Sequence, residues 1–566
     1  MTDIAPQAGA RGRAAMRGDW RIILLMAGFC VCYAAVAVRM GLMATIEPEE
    51  PQISRDGGPT LPIRGEIVDR DGKLLAGNLP AWSLYAHPQD IRDPGLAADE
   101  LARIFPDMTR DELLRDLTSD SRFVWIKRPV TPREKQAVHE LGLPGLHFGN
   151  REMRIYPAGA AMAHIVGGVR AGREGVRFAE LVGAGGVEGY FDERLRDPEL
   201  AGEPLRLSLD LAVQQVVREA LTRGVDAMNA IGGAAILMKV GTGEVLAMVS
   251  VPDFDPNAPP QPFYGDAGQN PRFNRAAQAR YELGSTFKVL TTAIALETGA
   301  VEPGTLIETP PTLRYGRHTI HDFHRMPPIM TVEEIVVESS NVGSAKLALM
   351  VGTPRFKAYL GKLGMLDPSG IELVGASDND TLIPERWTDL STITISFGHG
   401  LAASPMHLAA AFATVANGGV RVYPSLVAGG RESGPRVFSE QTSREMLRIM
   451  RQVVINGTAS RADVPGYRVG GKTGTADKVR PNGGYYDKKV ISTFAAVFPT
   501  TRPEFVLVVS LDEPTNMSAP VPARTAGWTA APVTAEIIRR AVAVMGIRPL
   551  PAPVPGDIAS LGASWE

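Results

Sequence analysis

The chain has 566 residues, of which 44% are hydrophobic and 21% charged, and its formal net charge is −3. This length exceeds one ordinary domain, so we expect at least two folded units. The near-neutral charge argues against general binding of nucleic acid. Only two cysteines occur, Cys30 and Cys32, which excludes a disulfide framework and a cysteine-based zinc site.

The N-terminal segment predicts a membrane anchor. An apolar run extends from Ile22 to Val38, and at about 17 residues it reaches the lower length of a membrane-spanning helix. The segment before it is basic, with arginines at four positions: Arg11, Arg13, Arg17 and Arg21. Because basic flanks stay in the cytoplasm, we expect a cytoplasmic tail over 1–21, a transmembrane anchor over 22–40 and export of the remaining chain. The small residues of Ala35-Val36-Ala37 fit a cleavage site, so a cleaved signal peptide is the alternative.

The rest of the chain divides by composition. Residues 41–60 are rich in Glu, Pro and Gly and predict an exposed linker, and the proline-rich residues 549–566 predict a disordered tail. Residues 61–205 mix short strand-like runs with charged segments and contain no catalytic constellation. Residues 206–548 have clearer helical and strand patterns. We therefore expect two blocks, of which the second carries the chemistry.

The second block predicts an antiparallel sheet. Two apolar runs around a Gly-Thr-Gly turn predict a hairpin, Gly233–Val240 with Glu244–Val251. Later runs predict three more strands: Arg468–Thr475, Ile491–Phe498 and Phe505–Leu511. Helical segments lie between them, so the fold class is α+β, with an antiparallel sheet packed by helices. Asp512 and Glu513 follow the last run, and because neighbouring strand residues point to opposite faces, we interpret them as structural rather than as a catalytic pair.

One Ser-x-x-Lys occurs in the chain, formed by Ser285 and Lys288. Apolar residues at helical spacing follow it and Gly299 closes the segment, which predicts a helix buried on more than one side. Residues three apart on a helix share a face, and a lysine whose pKa is lowered by burial or by another cation can take the serine proton. The start of the helix also offers N–H groups to an oxyanion.

A second candidate motif is Ser339-Ser340-Asn341. It follows a capping-box pattern, Thr331 to Glu334, and precedes an apolar helical stretch, so we expect it where one helix gives way to another. There a Ser339 hydroxyl can relay protons, and the Asn341 amide can bind substrate amides.

A third candidate motif is Lys472-Thr473-Gly474-Thr475, at the end of a strand-like run. Lys472 supplies positive charge, and the hydroxyls at 473 and 475 can hold a carboxylate. A small residue at 474 lets a substrate backbone lie close to the strand. Each of the three motifs alone also matches ordinary surface or capping residues.

In this fixed order, however, the motifs resemble the Ser-x-x-Lys, Ser-x-Asn and Lys-Thr-Gly of the penicillin-binding protein and serine β-lactamase superfamily. Stretches of the first block resemble the non-catalytic pedestal of class B members: Arg64-Gly65, Asp69-Arg70-Asp71-Gly72, Arg154, Tyr156-Pro157, Ala163-His164 and Gly189-Tyr190. Others resemble the division-specific, FtsI-type branch: Phe397-Gly398-His399-Gly400, Ala416-Asn417-Gly418-Gly419, Ala476-Asp477-Lys478-Val479 and Asp512-Glu513-Pro514. Leu283 stands where the family usually has proline, which should alter the turn before Ser285 slightly.

The resemblance implies an elongated mixed α/β pedestal domain over 61–205 and a penicillin-binding transpeptidase domain over 206–548. It implies that Ser285 attacks the penultimate D-alanine of a peptidoglycan stem peptide and that Lys288 accepts its proton. Ser339, with Lys472 nearby, would pass a proton to the departing terminal D-alanine. The other motif residues would hold the donor peptide: Asn341, Thr473, Gly474 and Thr475. Backbone N–H groups of Ser285 and Thr475 would bind the oxyanion.

The resemblance also implies location and partners. An amine of a neighbouring strand would resolve the acyl-enzyme, β-lactams would trap Ser285, and the chemistry needs no metal or organic cofactor. The chain would be a single-pass protein of the bacterial inner membrane with its catalytic domain outside the cytoplasm. Its partners would be a polytopic glycosyltransferase and other division proteins.

The sequence leaves three alternatives to a septal transpeptidase. An elongation-specific transpeptidase is close in pattern. A β-lactamase or D,D-carboxypeptidase would share the chemistry, but the large first block argues against it. An inactive scaffold or a β-lactam sensor is disfavoured because all three motifs are chemically intact and residues 1–21 are too short for a signalling domain.

Overall fold

The computed structural model describes residues 25–39, 64–175, 178–200, 202–265, 267–376, 381–480 and 483–551. The predicted cytoplasmic tail, the predicted linker and nearly all of the predicted C-terminal tail lie outside these residues. Of the predicted anchor, residues 25–39 are described and form helix α1. Among the described residues, no helix combines the length and the apolar character needed to cross a membrane.

The described strands, in chain order, are β1 (Ile67–Val68), β2 (Leu74–Ala86), β3 (Val124–Val130), β4 (Leu146–Ile155), β5 (Gly168–Gly175), β6 (Phe178–Gly185), β7 (Leu205–Arg206), β8 (Gly232–Lys239), β9 (Val245–Val251), β10 (Tyr281–Glu282), β11 (Leu306–Glu308), β12 (Thr312–Tyr315), β13 (His318–His321), β14 (Ile329–Thr331), β15 (Ala402–Ala403), β16 (Gly470–Val479), β17 (Tyr485–Phe498) and β18 (Phe505–Asp512).

The helices after α1, in chain order, are α2 (Pro94–Ile104), α3 (Arg110–Leu117), α4 (Pro132–Glu140), α5 (Ala163–Val166), α6 (Gly186–Tyr190), α7 (Asp192–Arg196), α8 (Leu211–Ala227), α9 (Phe287–Glu297), α10 (Val332–Val337), α11 (Asn341–Val351), α12 (Thr353–Lys362), α13 (Asp389–Ser396), α14 (Pro405–Ala416), α15 (Glu440–Ile455) and α16 (Ala530–Val544).

Packing divides the chain into two compact units that do not follow simple chain order. Among the described residues, the first comprises 25–39, 81–152 and 173–179 without 176 and 177, and the second comprises 64–80, 153–172 and 180–551 with the gaps given above. The second unit therefore takes in three stretches of the predicted pedestal block. The domain boundaries at 61, 206 and 548 stay a prediction.

In the first unit, α2, α3 and α4 pack together and α3 packs on β3. Side-chain caps define the helix starts: Asp93 accepts from the Leu96 N–H, and Thr109 and Thr131 each form a capping box with a glutamate three residues later. These caps satisfy N–H groups that a helix start leaves free. The core between these elements is apolar: Leu84, Ala86, Leu101, Phe105, Leu113, Leu117, Ile126, Val130 and Val138.

The second unit is organised around a five-stranded antiparallel sheet in the order β16-β17-β18-β8-β9. The predicted hairpin and the three later strands are confirmed within a few residues, except that β17 starts six residues earlier, at Tyr485. Strands β9 and β18 are buried at every position, which requires cover on both faces of the sheet. Helices α8 and α16 pack on each other and on the sheet, and α14 packs on β8, β17 and β18 with α9 and α15 beside it.

A buried ion cluster of the second unit contains Arg64 and Arg154, from two stretches that resembled pedestal landmarks, and Glu188, which directly precedes a third. The Arg64 Nε lies 2.6 Å from one Glu188 oxygen, and the Arg154 Nε lies 2.6 Å from the other. Arg64 also binds Asp192 at 2.7 Å, and the Glu188 side chain is fully buried. Desolvation of this carboxylate is compensated by two guanidinium groups, as a buried charge requires.

Candidate active site

Ser285 lies in a tight turn rather than in the helix itself. The predicted helix is confirmed as α9, but Gly284–Thr286 form a 3-10 turn before it, so Ser285 precedes the helix and Lys288 lies in its first turn. Gly284 has φ +56, and a Cβ there would come within 2.6 Å of the Thr475 carbonyl oxygen. Glycine is needed both for this left-handed conformation and for this close approach. The turn leaves Ser285 half-buried and Lys288 completely buried.

The second motif lies between α10 and α11, as predicted. Thr331 starts α10 with a capping box, and the Ser340 hydroxyl caps α11 by accepting from the Gly343 N–H at 2.9 Å. Ser339 between the helices has φ +66. A non-glycine residue in this region costs on the order of 1–3 kcal/mol and is maintained only when its surroundings determine it. Here the surroundings are two lysine side chains.

The third motif lies on β16, the strand at one end of the central sheet. Lys472 on this strand is fully buried and Thr473 nearly so. A Cβ on Gly474 would overlap the Leu283 carbonyl oxygen and approach the Thr286 N to 3.2 Å. The space that we predicted for a substrate backbone is thus filled, on this side of the strand, by the turn that carries Ser285. Gly474 positions the strand against that turn.

Both lysine amines converge on Ser339. The Lys288 Nζ donates to the Asn341 Oδ1 at 2.7 Å, to the Ser339 Oγ at 3.2 Å and to the Ser339 carbonyl oxygen. The Lys472 Nζ donates to the same Ser339 Oγ at 2.9 Å and to the Thr473 carbonyl oxygen at 3.2 Å. The structure therefore brings Lys288, Ser339, Asn341 and Lys472 together. In the described part of the chain, the Ser285 hydroxyl makes no hydrogen bond, so it is available to a substrate.

Burial makes both amines weaker bases than free lysine. Desolvation lowers the pKa of Lys288 well below its ordinary value; the charge of Lys472 lowers it further, while Asp322 raises it. Desolvation alone lowers the pKa of Lys472 to about 7. Burial penalises the charged form of an amine, so a neutral lysine exists near neutral pH. A neutral Lys288 can accept a proton, as the sequence argument required.

The two threonines of the third motif already have partners. The Thr473 hydroxyl lies 2.7 Å from the Thr458 hydroxyl. The Thr475 hydroxyl accepts from the Ala526 N–H at 3.0 Å, which leaves its own hydrogen free to donate. Thr475 is half-buried on the strand that packs against Gly284. These two hydroxyls are therefore oriented by the protein before any substrate arrives.

Asp322 is a site residue that the sequence reasoning missed. Its Oδ2 accepts from the Ser340 hydroxyl at 3.0 Å, and its Oδ1 accepts from the Val342 N–H at 3.1 Å and from the Asn341 N–H. A carboxylate at the start of α11 is favoured by the helix dipole and satisfies free N–H groups. Asp322 lies 18–20 residues before its partners, so no local pattern pointed to it.

The prediction that Asp512 and Glu513 point to opposite faces of a strand was wrong. Both carboxylates bind the Lys478 Nζ at 2.8 Å, so they do not point to opposite faces. The strand ends at Asp512, and Glu513 has φ +55, which turns its side chain toward the same lysine. The pair holds Lys478 of β16 to the end of β18, which is a structural role.

Comparison with known proteins agrees with this arrangement. The sequence matches the penicillin-binding protein dimerisation domain over 59–199 and the penicillin binding protein transpeptidase domain over 233–539. A Caulobacter vibrioides protein named probable peptidoglycan D,D-transpeptidase FtsI is 35% identical, over 95% of this chain and 91% of its own length. The Escherichia coli K12 peptidoglycan D,D-transpeptidase FtsI is 29% identical, over 94% and 93% respectively.

Among solved structures, penicillin binding protein 3 of Mycobacterium tuberculosis complexed with aztreonam has a TM-score of 0.64 and 25% identity, covering 87% of this chain and 98% of that chain. The family match, the identity to full-length relatives and the shared fold lead to one assignment. The chain belongs to the class B penicillin-binding proteins, and among them to the FtsI type.

Proposed function

We propose that the chain is a serine-type peptidoglycan D,D-transpeptidase. The observation that supports this best is the pair of buried lysines with lowered pKa values that meet at the Ser339 hydroxyl. Ser285, three residues before Lys288 in the turn that precedes α9, is half-buried, and its hydroxyl has no partner among the described residues. Such a pair supplies a base for a serine nucleophile and a donor for a leaving amine without a histidine.

In the first step, the Ser285 oxygen bonds to the carbonyl carbon of the penultimate D-alanine and its proton moves to the neutral Lys288. A neutral amine has two N–H donors, which suit the Ser339 carbonyl oxygen and the Asn341 Oδ1. In this form Lys288 gives up its longer bond to the Ser339 Oγ, and the lone pair of the amine accepts the proton. The developing oxyanion is bound by the backbone N–H groups of Ser285 and Thr475. The close packing of Gly284 on the backbone of Thr475 supports this assignment.

In the second step, the bond to the terminal D-alanine nitrogen breaks and that nitrogen takes a proton. Ser339 is suited to deliver it, because its hydroxyl lies between the two amines. Asn341 orients the donor peptide, and Thr473 and Thr475 hold its carboxylate together with Lys472, next to Gly474. An amine of a neighbouring strand then attacks the ester carbonyl, forms the new amide bond and returns Ser285 to its hydroxyl form.

β-Lactams are expected to acylate Ser285 in the same way. A structural neighbour is a complex with aztreonam, and a β-lactam presents a strained amide next to an anionic group in place of the donor peptide. The nucleophile would add to this amide and keep the opened ring as an ester.

Fluorescent penicillin tests the assignment. We expect covalent label on the wild-type chain and none on Ser285→Ala, whereas Ser518→Ala, an exposed serine, labels normally. Label that survives in Ser285→Ala would disprove the nucleophile. Normal septation in cells that carry only Ser285→Ala would instead show an inactive scaffold, and steady turnover of penicillin would show a hydrolase.

We also propose the septum as the place of action, with residues 22–40 as a single-pass inner-membrane anchor and 61–205 as the pedestal in front of the transpeptidase domain at 206–548. The FtsI naming of the relatives supports the septal role. A polytopic glycosyltransferase and other division proteins would be the partners. Imaging of the penicillin label tests this: label at mid-cell is expected, and label along the side wall would assign the chain to elongation.

A further inference from the structure

A cluster of imidazole and carboxylate groups lies in the first unit, apart from the motifs described above. It consists of His87, Asp90 and His147, whose potential ligand atoms all lie within 4.8 Å of one another. In the described part of the chain it is the one group of three such residues that could hold a metal ion. The relatives' names and the proposed transpeptidase chemistry give this cluster no role.

The backbone brings the three residues together. His87 follows β2 and starts the short 3-10 turn Pro88–Asp90, so His87 and Asp90 are one turn apart. His147 lies at the start of β4, and the His87 N–H donates to the Gly145 carbonyl oxygen at 2.8 Å. Gly145 has φ +83, and a Cβ there would come within 2.7 Å of Ile91 and 3.1 Å of the His87 carbonyl oxygen. Only glycine allows this approach of β4 to the turn, so the juxtaposition is built into the fold.

The distances suit a small ion after modest side-chain rotation. The His87 Nδ1 lies 3.7 Å from the Asp90 Oδ2, and the two imidazole rings have centroids 4.8 Å apart. Ligand atoms around a tetrahedral zinc ion lie about 3.3 Å apart, given bonds of about 2.0–2.1 Å. The side chains of His87 and Asp90 are 43% and 63% exposed, so they can rotate through the remaining distance.

Aromatic side chains packed against one side of the cluster restrict the orientations of the two histidine rings. Tyr85 stacks on His147 with centroids 5.4 Å apart and lies 5.6 Å from His87. Phe123 in turn packs on Tyr85 at 5.0 Å. Groups behind metal ligands orient them and reduce the entropy that binding removes. The two imidazoles are therefore already held on one side of the cluster.

We infer that His87, Asp90 and His147 form a binding site for a divalent transition-metal ion, with zinc as the best fit. Two imidazoles and one carboxylate are the ligand types that zinc prefers, whereas calcium and magnesium prefer oxygen ligands alone. Three protein ligands leave at least one position for water or for a ligand from another molecule. Because the ligands come from the β2 end, the following turn and β4, the ion would fix these segments to one another.

Zinc titration of the purified full-length chain, followed by calorimetry, tests the site. We expect one zinc ion per wild-type chain. The affinity should be at least about tenfold lower in His147→Ala and His87→Gln, because even the substitution of a residue that only supports a metal ligand lowers metal affinity by about that factor. His139→Ala is the matched control, because His139 is an exposed histidine of the same unit outside the cluster, and it should bind like wild type. Excess magnesium or calcium should not displace the zinc.

Thermal unfolding gives a second measurement on the same variants. An ion that binds only the folded state raises the melting temperature, so zinc should raise it for wild type and His139→Ala and not for His147→Ala. Without zinc, all variants should melt together, which shows that they fold. No saturable zinc binding by wild type, or equal affinity in His147→Ala and His139→Ala, would overturn the inference.

Discussion

At the scale of single residues, the site is notable for two buried amines with no carboxylate bonded to either. The acid that faces Lys288 is Asp322, but both of its oxygens are taken by groups of the α11 start. Lys288 and Lys472 instead share hydroxyl, amide and carbonyl oxygens. A directly bonded carboxylate would hold each lysine in its charged form. No such carboxylate is among the hydrogen-bond partners of either lysine in the described site, which agrees with the lowered pKa values of both amines.

Asp322 is therefore a positioning residue whose charge has a measurable effect on Lys288. In Asp322→Asn, the hydrogen bonds to α11 lose a charged acceptor, which is worth about 1.5–3 kcal/mol. We therefore expect the second-order rate of acylation by penicillin to fall about 10–100-fold at its plateau. Acylation needs neutral Lys288, so the rate rises as pH rises through the pKa of Lys288. Because the Asp322 charge raises that pKa, its removal should move this limb to lower pH.

The fall of the plateau and the shift of the pH-dependent limb together distinguish an electrostatic role of Asp322 from a purely structural one. A pH–rate profile of acylation measures both, with Asp226→Asn as the control because Asp226 is an exposed aspartate of α8. A lower plateau with the limb at an unchanged pH would mean that Asp322 acts only through structure. An unchanged plateau together with an unchanged limb would remove Asp322 from the site altogether.

At the scale of elements, two glycines allow the turn Gly284–Thr286, which carries Ser285, to pack closely against strand β16. Gly284 has room for the Thr475 carbonyl oxygen, and Gly474 has room for the Leu283 carbonyl oxygen. The contacts are reciprocal, so each element sets the position of the other. The distance between Ser285 and the oxyanion donor on Thr475 is therefore a property of packing between two backbones.

Gly474→Ala should break this arrangement. Its methyl group would overlap the carbonyl oxygen of Leu283. This backbone atom cannot rotate away, so strand and turn must separate. Misplacement by about 1 Å costs about 100-fold in rate, and overpacking costs about 1–3 kcal/mol of stability. Penicillin acylation and thermal unfolding measure the two losses. The control is Gly304→Ala, at an exposed glycine with open space and negative φ, which should change neither the acylation rate nor the stability. A wild-type acylation rate in Gly474→Ala would show that this close packing does not position Ser285.

The same elements show what the sequence could and could not predict. Apolar runs located β8, β9 and β18 well because these strands are buried along nearly their whole length. The first five residues of β17 are exposed, so hydrophobicity could not mark them. The three motifs were visible because their residues are neighbours in sequence. Asp322 was not, because its contacts join residues 18–20 positions apart and a lone acidic residue carries no pattern.

At the scale of the whole molecule, residues from the first block of the sequence contribute to the second unit. Residues 64–80 and 153–172 pack with the described residues of 180–551. The buried cluster of Arg64, Arg154 and Glu188 takes one residue from each of these three stretches. A single carboxylate thus joins chain segments 124 and 34 residues apart. Arg64 and Arg154 belong to stretches that resemble pedestal landmarks, and in the structure they are the two charges that Glu188 neutralises.

Glu188→Ala tests this connection. Removing the carboxylate leaves two guanidinium groups that are 2% and 6% exposed without their shared partner, and breaking a buried ion pair in this way costs about 3–5 kcal/mol. We expect a lower urea midpoint for the transition of the second unit and faster proteolysis between these stretches. Glu193→Ala, an exposed glutamate of α7, should stay within about 0.5 kcal/mol of wild type. Since Glu188 binds neither lysine of the candidate site, Glu188→Ala protein that is still folded should be acylated normally. A urea midpoint equal to that of wild type would contradict the prediction, because Asp192 and the nearby carbonyl groups would then suffice as partners of the two arginines.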